Sequence, residues 1–287
     1  MKKKSLNARV VIVGSNSFVA SYFKKKAKKN KIKLLEINRK KIDLSKSESQ
    51  KKLQKTIKDG DIVILFATKG PVKNVEMFSE NLNICRNICM ALEKKNIKQF
   101  IYLSSDAVYS DSKKKLTELS ETNPENLHGI MHITREKILF KFFKKILCIL
   151  RPTLIYGPKD PHNGYGPNKF IRLVSKNKNI LLFGKGEEKR DHVNVKDVAS
   201  IILEVIKKNY TGTFNLASGE VKSFRKIAET IVSYFNNNSL IKFKKRIGEM
   251  PHNGYRAFDT TKLKRKIPEI KLCKVLNGIK SFYRESY

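Results

Sequence analysis

Three features of this 287-residue chain predict an α/β fold built on a doubly wound parallel sheet. Short apolar runs rich in β-branched residues alternate with amphipathic helical segments through the N-terminal half. A glycine closes the first apolar run, where a helical pattern begins. The C-terminal half is less regular and contains a loop rich in Gly, Pro and Asn, which predicts a small lobe appended to the main core.

The predicted strands of the N-terminal half share an apolar, β-branched composition and cover residues 8–14, 32–39, 61–68, 99–105 and 146–157. The segments with helical periodicity cover residues 18–29, 77–96 and 128–143. Helices between strands at this spacing imply right-handed crossovers and a sheet covered on both faces. Further along, the pattern predicts a loop at 156–168, strand–turn–strand–helix over 180–208, a strand at 212–218 and a helix at 223–235. The core is therefore expected to comprise residues 1–157 and 187–218, and the lobe 158–186 and 219–287.

Composition sets limits on the class of protein. A hydrophobic content of 40% is enough for a buried core. No apolar run approaches the roughly 18 residues of a membrane span, and the apolar stretch of the opening "MKKKSLNARVVIVG" is too short for a leader peptide. We therefore expect a cytoplasmic protein. Cys85 and Cys89 do not have the spacing of a metal or redox motif, and buried free thiols are expected.

The net charge of +35 raises the question of nucleic-acid binding. The chain holds 49 lysines but only 12 arginines, and the lysines are spread over its whole length. Arginine is the residue favoured for bidentate phosphate recognition. The pattern therefore favours a solvated lysine-rich surface with no specific nucleic-acid partner, and polyanion binding stays as the less favoured alternative.

The segment "VIVGSNSFVA" reads as strand, turn and helix, the arrangement that binds a dinucleotide pyrophosphate at a helix N-terminus. Its small positions are Gly14, Ser17 and Ala20, so only the first is glycine. Ser17 would hinder close approach slightly, although its hydroxyl could donate to a phosphate. The predicted cofactor-binding residues of this segment are Gly14, Ser15, Asn16, Ser17, Phe18 and Val19.

The tip of the second strand bears on the choice of cofactor. Folds that use NAD place an acidic residue there to hold the ribose hydroxyls. This chain has Asn38 and Arg39, followed by Lys40 and Lys41. A cationic tip suits a 2′-phosphate, so NADP is predicted and NAD is the alternative. In a lysine-rich chain these charges are also consistent with an ordinary surface.

The segment "YLSSDAVYS" (102–110), together with later motifs, resembles the extended short-chain dehydrogenase/reductase family, the NAD(P)-dependent epimerase/dehydratase group that acts on nucleotide sugars. The resemblance runs from Val10 to about Pro268 through "GSNSFVA", "DIVILFAT", "SENLNICRNI", "SSDAVYS", "LRPTLIYGP", "GEEKRDHVNVKDVA", "GTFNLASGE" and "FDTTKL" in family order. It implies a Rossmann-type sheet with a small C-terminal substrate-binding lobe. It also implies a homodimer formed through the helices at 77–95 and 128–143.

The resemblance implies roles for individual residues around the cofactor. Asp43 and Leu44 would lie near the adenine, Ala67 and Thr68 would line the cofactor, and Asn81 would lie near the active site. Ser105 matches the catalytic Ser/Thr, and a hydroxyl at the end of a strand can hydrogen-bond a substrate oxygen during hydride transfer. Asp106 matches an acid of dehydratases and dehydrorhamnose reductases, and a local turn acceptor is an equal interpretation.

The resemblance also implies a substrate site. Arg190 and Arg246 would contact the diphosphate of a sugar nucleotide, since a guanidinium can bond it through a planar fork. Asn168 is predicted to join them. A structural salt bridge from Arg190 to Asp191 or Asp197 is the alternative for that arginine. Arg151 and Tyr156 are expected to shape the loop under the nicotinamide.

The family pattern breaks at its reactive Y-x-x-x-K pair, where this chain carries His128 and His132. Four interpretations stay open. His128 acts as a general base, with His132 bonding a ribose hydroxyl. The chain has lost hydride chemistry and only binds nucleotides or sugar nucleotides. The two histidines bind a metal, which is disfavoured because no third ligand is evident. Both are packed helix residues, and another tyrosine such as Tyr109 or Tyr165 serves instead.

The predicted function is NADP-dependent epimerisation, dehydration or reduction of a nucleotide-linked sugar through hydride transfer. The predicted catalytic residues are Ser105, Asp106, His128 and His132, with His132 also on the cofactor. No metal is expected. A catalytically degenerate nucleotide-binding homologue is the alternative from a different class.

Overall fold

The structure, a computed structural model, describes residues 8–235 and 239–286. Residues 1–7, 236–238 and 287 fall in the predicted domain ranges and lie outside the described residues. The chain divides into two compact units. The first contains residues up to Ser110, Glu121–Pro152 and Ala199–Phe214, and the second contains Asp111–Ser120, Thr153–Val198 and residues from Asn215 onward. These boundaries differ from the sequence-based ones at 111–120, 153–157, 187–198 and 215–218.

The strands of the described chain are β1 (Val10–Val13), β2 (Leu34–Ile37), β3 (Ile62–Leu65), β4 (Gln99–Leu103), β5 (Leu147–Pro152), β6 (Leu154–Tyr156), β7 (Ile180–Phe183), β8 (Lys189–Asn194), β9 (Gly212–Leu216), β10 (Val221–Ser223), β11 (Ile241–Lys244) and β12 (Tyr255–Arg256).

Its α-helices are α1 (Phe18–Lys29), α2 (Ser49–Thr56), α3 (Val75–Leu92), α4 (Leu127–Phe143), α5 (Pro167–Val174), α6 (Val195–Lys208), α7 (Phe224–Phe235), α8 (Thr261–Lys266) and α9 (Val275–Ser286). Two 3-10 helices cover Asp106–Val108 and Pro251–Gly254.

A six-stranded sheet in the order β2-β1-β3-β4-β5-β9 forms the first unit's centre. The pairs β1–β2, β1–β3, β3–β4 and β4–β5 are all parallel. Every residue of β1 (VVIV) and β3 (IVIL) is buried, as expected for strands covered on both faces. The strand order reverses between β1 and β3, and in open α/β sheets a ligand site forms beyond the strand ends at such a point.

Helices α2, α3 and α4 pack in succession along one side of this sheet. Their apolar residues join a core that includes Leu53 from α2, Cys85 and Ile88 from α3, and Leu139 from α4. The Cys85 and Cys89 thiols are buried and unbridged, as predicted. Packing against α3 fixes the angle of α4, the helix that carries His128 and His132.

The second unit contains a sheet in which β8 pairs with β10, β12 and β6, and a two-stranded parallel sheet of β7 and β11. Its core gathers apolar residues from α5, α7 and α9, among them Ile171, Ile231 and Ile279. Helix α5 begins at Pro167, inside the segment predicted as a loop, because proline is well accommodated in the first turn of a helix.

Within residues 8–235 and 239–286, the structure holds no helix with the length and apolar character that a membrane crossing requires.

Candidate cofactor and catalytic site

The turn between β1 and α1 is built around Gly14, whose φ of +90° is the left-handed conformation that favours glycine. A Cβ at this position would lie 2.5 Å from the backbone nitrogen of Ala67 and 2.8 Å from its Cα. The Gly14 N–H donates to the Ile37 carbonyl at 2.8 Å, and the Ala67 N–H donates to the Val13 carbonyl at 3.0 Å. Gly14 therefore lets the ends of β1 and β3 meet closely.

Helix α1 starts directly after this turn. Ser17 is its N-cap, and the Oγ of Ser17 accepts a hydrogen bond from the Ala20 N–H at 3.2 Å. Its hydroxyl therefore stabilises the helix terminus that would face a phosphate. Asn16 is exposed, whereas Ser15 and Val19 are buried. The Val19 side chain packs in the core and does not line the cofactor cavity.

A cavity of about 310 Å³ opens beside this turn, at the lower end of the range for small-molecule sites, ~300–1,000 Å³. Of the predicted cofactor residues, it is lined by Gly14, Asn16, Ser17, Asn38, Arg39, Asp43, Leu44, Ala67 and Thr68. Ser15, Phe18, Val19, Asn81 and His132 do not line it. The cavity is also lined by residues that were not predicted from sequence, namely Ile37, Ile42, Phe66, Lys69, Glu80 and Ile84.

The β2 end of the cavity carries the predicted cationic tip. The Arg39 side chain is 67% exposed, and it forms ion pairs with Asp43 at 3.5 Å and Glu80 at 3.3 Å. Glu80 also pairs with the Lys69 ammonium at 2.5 Å. Hydrogen bonds from Ser45 lower the pKa of Asp43, and Arg39 adds to this effect. A cationic rim balanced by two carboxylates therefore borders the cavity.

The Asn81 side chain on α3 hydrogen-bonds backbone groups and does not line the cavity. Its Oδ1 accepts from the Lys69 N–H at 3.0 Å, and its Nδ2 donates to the carbonyls of Lys69 at 3.0 Å and Met77 at 2.8 Å. The amide therefore fixes the segment that follows Thr68, and this structural role explains why asparagine is suited to this position.

The first turn of α4 lies against the segment that carries the predicted catalytic serine. A Cβ at Gly129 would lie 2.1 Å from the Ala107 carbonyl oxygen and 2.5 Å from the Pro124 Cβ. Ser105 is the N-cap of the 3-10 helix that contains Ala107, and its Oγ accepts from the Ala107 N–H at 3.1 Å. Glycine at 129 therefore brings His128 and Ser105 into one region.

His128 is partly buried at the start of α4. Its Nδ1 accepts a long hydrogen bond from the Val72 N–H at 3.4 Å. Burial lowers its pKa, and the nearby carboxyl of Asp106, which is 8% exposed, partly offsets this effect. Because Nδ1 is the acceptor, the neutral imidazole carries its proton on Nε2.

His132 is buried one turn further along α4, and its ring centre lies 4.6 Å from that of His128 in an edge-on arrangement. The Nδ1 of His132 lies 2.6 Å from the Tyr102 hydroxyl on β4. Burial lowers the pKa of His132 well below its ordinary value, and the neighbouring His128 and Arg135 add to the shift. Residue 132 is thus a neutral imidazole at physiological pH.

Two buried charges behind the site were not assigned roles from sequence. Arg135 on α4 is fully buried, and its guanidinium bonds the Thr68 hydroxyl and the Ala67 carbonyl, both at 3.0 Å. Glu136 forms a two-pronged ion pair with Arg151, at 2.5 and 3.0 Å, and accepts from the Ser104 hydroxyl at 2.5 Å. Their burial depends on the Ala67–Thr68 segment and on Arg151, partners that a sequence pattern along α4 does not reveal.

In the second unit, a cavity of about 450 Å³ contains both arginines predicted to bind a diphosphate. Arg190 pairs with Glu188 at 3.1 Å, and Arg246 approaches the same carboxylate at 3.7 Å. The structural salt bridge considered for Arg190 is present with Glu188 as its partner, and the Asp191 carboxylate accepts hydrogen bonds from Ser218 and Gly219.

The remaining predicted substrate residue, Asn168, lies on α5 and is buried. Its Oδ1 accepts from the Gly157 N–H at 3.1 Å, and its Nδ2 donates to the Asp160 carboxylate at 2.7 Å. The side chain does not line the cavity and instead ties together the ends of the 157–168 segment.

His192 on β8 gives a testable pH dependence. It is buried beside Phe224 and Tyr156, and burial, reinforced by Arg190, lowers its pKa to about 3. In the unfolded chain the same imidazole titrates near 6.5. Between pH 6.5 and 3 the unfolded state therefore binds more protons, and the stabilising contribution of neutral His192 is lost as the pH falls.

We expect His192→Phe to remove this loss. The free energy of unfolding is measured by urea titration from pH 8 to pH 4. The difference between the variant and the natural protein should shift in the variant's favour by at most about 1.4 kcal/mol for each pH unit below 6.5. Asp191, whose pKa burial raises to about 6, titrates with the opposite sign but is common to both proteins. His162→Gln, at an exposed histidine, is the matched control. A constant difference across this pH range would contradict the assignment.

The comparisons with known proteins agree with this architecture. The model of the NAD dependent epimerase/dehydratase family matches residues 10–217. A Bacillus subtilis (strain 168) protein named an uncharacterized UDP-glucose epimerase is 23% identical over 190 residues. That match covers 64% of this chain and 60% of the relative, so the chain spans less than two thirds of the curated relative's length.

Two solved structures show the same fold over nearly the whole chain. A GDP-L-fucose synthetase from Naegleria fowleri bound to NADP gives a TM-score of 0.84 at 20% identity, covering 97% of this chain and 93% of that one. A Thermus thermophilus UDP-glucose 4-epimerase in complex with NAD gives 0.83 at 19% identity, covering 97% and 100%.

Proposed function

Because the chain belongs to the NAD dependent epimerase/dehydratase family, we propose that it is an NADP-dependent enzyme that epimerises, dehydrates or reduces a nucleotide-linked sugar through hydride transfer. The observation that carries this proposal is the cavity at the point where the strand order reverses, between the ends of β1 and β3. Ligands of open α/β sheets bind at this position. The structural relatives bound to NADP and to NAD support a nicotinamide cofactor.

The residues around the cavity fit such a cofactor. Gly14 lines the cavity at the turn before α1, and the N-terminus of that helix suits a pyrophosphate. Arg39, exposed at the rim, is suited to a 2′-phosphate and supports NADP over NAD. To engage a phosphate, its guanidinium would exchange part of its pairing with Glu80, so the preference for NADP is expected to be moderate.

Bound NADPH would supply a hydride to the carbonyl carbon of the sugar, and the electrons of the C=O π bond would move onto oxygen. The Nε2–H of His128 would stabilise the negative charge on that oxygen, as would the Ser105 hydroxyl. Since Nδ1 of His128 is occupied by the Val72 N–H, the neutral ring is a donor rather than a base. The geometry therefore favours the step in which hydride arrives, with the proton delivered by water.

The other parts of the proposal rest on separate features. The second unit's arginine-lined cavity supports recognition of a substrate diphosphate, because Arg190 and Arg246 share one carboxylate that a diphosphate can replace. A homodimer through α3 and α4 is supported by the exposed apolar side chains of Met90 and Phe140. Tyr102 and His132 do not contribute to that surface, since both are buried.

A second candidate is a protein that binds nucleotides or sugar nucleotides without turnover. It is favoured by one observation: the Nδ1 of His128 accepts a hydrogen bond from the Val72 N–H, and the Nδ1 of His132 lies 2.6 Å from the Tyr102 hydroxyl, so both nitrogens already have a protein partner. If hydride chemistry has been lost, cofactor affinity would be retained because Gly14 and Arg39, which line the cavity, do not depend on a basic nitrogen of either ring.

Titration with NADPH and NADH, followed by nicotinamide fluorescence, tests cofactor binding. We expect both to bind and NADPH to bind more tightly. Absence of binding by either at millimolar concentration would overturn the proposal. NADPH oxidation with a panel of keto sugars linked to UDP, GDP and dTDP then tests turnover, and binding without turnover of any panel member selects the second candidate.

His128→Tyr separates the two candidates further. If His128 takes part in the chemistry, the substitution alters the rate of NADPH oxidation and its pH profile while the Kd for NADPH stays the same. His162→Gln, which exchanges an exposed histidine of the second unit, should leave the rate unchanged. Equal rates in His128→Tyr and the natural protein would remove His128 from the proposed mechanism.

A further inference from the structure

Arg135 is a fully buried cation in contact with the wall of the cofactor cavity. Its Nη1 donates to the Thr68 hydroxyl and its Nη2 to the Ala67 carbonyl, each at 3.0 Å. Both Thr68 and Ala67 line the cavity, and Arg135 itself does not. Any role of this guanidinium toward a ligand is therefore exerted through the wall.

The same guanidinium contacts Tyr102 on its other side. Its central carbon lies 4.9 Å from the centre of the Tyr102 ring, which is cation–π distance. The Tyr102 hydroxyl in turn lies 2.6 Å from Nδ1 of His132. A continuous chain of contacts thus runs from the cavity wall through Arg135 and Tyr102 to His132.

The Cys85 thiol hydrogen-bonds the Arg135 guanidinium and is a partner that can ionise. The other groups that hold Arg135 are neutral. Besides Ala67 and Thr68, they are the Asn81 amide oxygen at 3.5 Å and the Met131 thioether at 3.9 Å. Within the described part of the chain, the Nε of Arg135 has no hydrogen-bond partner. A buried cation held mainly by dipoles projects a strong field onto its neighbours, since the interior screens charge poorly.

The charged and titratable groups around His132 come from several elements. On α4 these are His128 and Arg135, and from β4 comes Tyr102. The Cys85 thiol on α3 interacts electrostatically with Arg135 and Tyr102, and the Glu136 carboxylate interacts electrostatically with Tyr102. The Asp106 carboxylate, which follows β4, interacts electrostatically with His128. Burial raises the pKa of Tyr102, so its hydroxyl keeps its proton and has it available for Nδ1.

We propose that Arg135 and Tyr102 are positioning residues that fix His132 as a neutral imidazole with its proton on Nε2 and link it to the Ala67–Thr68 wall of the cofactor cavity. The Tyr102 hydroxyl donates to Nδ1, and the Arg135 cation opposes a second proton on the ring. His132 then presents an N–H donor to a hydroxyl oxygen of the bound dinucleotide. This inference rests on the proposed function for the identity of the ligand, but not for the state of the ring.

The state of the ring is measured directly by NMR on protein labelled with 15N in its histidines. The expected result for the natural protein is a His132 with protonated Nε2 and unprotonated Nδ1 throughout pH 6–8. A proton on Nδ1, or a doubly protonated ring at pH 6, would overturn the proposal without any variant being made.

Two variants test the positioning residues. Tyr102→Phe removes the donor to Nδ1, and we expect a mixture of the two tautomers and a two- to tenfold (about one hydrogen bond) rise in the Kd for NADPH. Tyr156→Phe removes a hydroxyl at another fully buried tyrosine and should leave the His132 signals unchanged. Identical His132 spectra in Tyr102→Phe and the natural protein would contradict the role of Tyr102.

Arg135→Met removes the cation, and we expect the pKa of His132 to rise and the Kd for NADPH to increase at least about tenfold. If this variant does not fold, Arg135→Lys replaces it. The ammonium keeps the charge but cannot span Ala67 and Thr68 as a fork. We then expect a low His132 pKa with weakened NADPH binding, and natural affinity would contradict the link to the cavity wall.

The outcomes separate this inference from the proposed function. If the natural protein binds neither cofactor but its His132 has the expected tautomer, the proposed function is refuted and the positioning of His132 stands. Tight NADPH binding with the opposite tautomer would refute the positioning and leave the function.

Discussion

Replacing Glu136 by Leu is expected to lower the free energy of unfolding by about 3–5 kcal/mol, because it leaves a buried guanidinium without its counter-charge. Glu136 and Arg151 are 3% and 6% exposed, and they meet through two hydrogen bonds. The substitution also leaves the Ser104 hydroxyl without its acceptor. Urea unfolding at pH 7, followed by circular dichroism, measures the change.

The double variant Glu136→Leu with Arg151→Met should recover most of that loss. Replacing a whole buried ion pair by apolar residues of similar size is often neutral or stabilising, since both desolvation penalties disappear. Glu229→Leu breaks the exposed pair with Arg225 on α7 and is the matched control, with an expected change of about 0.5 kcal/mol or less. Equal losses at Glu136 and Glu229 would show that the buried ion pair between α4 and β5 does not stabilise the fold.

Gly14→Ala is expected to weaken NADPH binding by more than about tenfold, which requires only ~1.4 kcal/mol of lost binding free energy. The new Cβ would lie 2.5 Å from the Ala67 nitrogen, so the ends of β1 and β3 must separate. Both ends line the cofactor cavity, and a shift of either changes its shape. Fluorescence titration of NADPH gives the affinity.

Gly60→Ala supplies the control for backbone conformation. Gly60 has a similar φ of +79°, but a Cβ there meets nothing within 4 Å. Its substitution should cost about 1–2 kcal/mol of stability from conformation alone and leave NADPH affinity unchanged. If the two alanine variants bind NADPH equally well, the close approach of Gly14 to Ala67 does not shape the site.

The sheet of the first unit was predictable because its strands have a simple signature. The runs VVIV and IVIL are buried on both faces, and their composition predicted this directly. Helix α2 was missed for the opposite reason: of SQKKLQKT, only Ser49 and Leu53 are buried, so the helical period is hardly visible. The single strand predicted over 146–157 is divided at Thr153 into β5 and β6.

The surroundings of the two histidines could not be predicted, because they depend on tertiary contacts. Tyr102 reaches His132 across 30 positions of sequence, and Arg135 looked like one more surface charge on a basic chain. The amide of Asn81 was expected to be functional, but its hydrogen-bonding capacity is used on backbone groups of Lys69 and Met77. The sequence placed each of these residues on its strand or helix and left its contacts undetermined.

Deep burial is confined to some of the arginines among the basic side chains. The buried cations of the described chain are the arginines Arg135, Arg151, Arg190 and Arg256, and the described lysines all retain solvent contact. Acetylation of amines neutralises lysine and does not modify a guanidinium. Treatment with an acetylating reagent would therefore reverse the sign of the whole molecule's charge while the buried guanidiniums stay cationic. At the cavities it would neutralise the lining lysines Lys69, Lys244 and Lys245 and leave Arg190 charged.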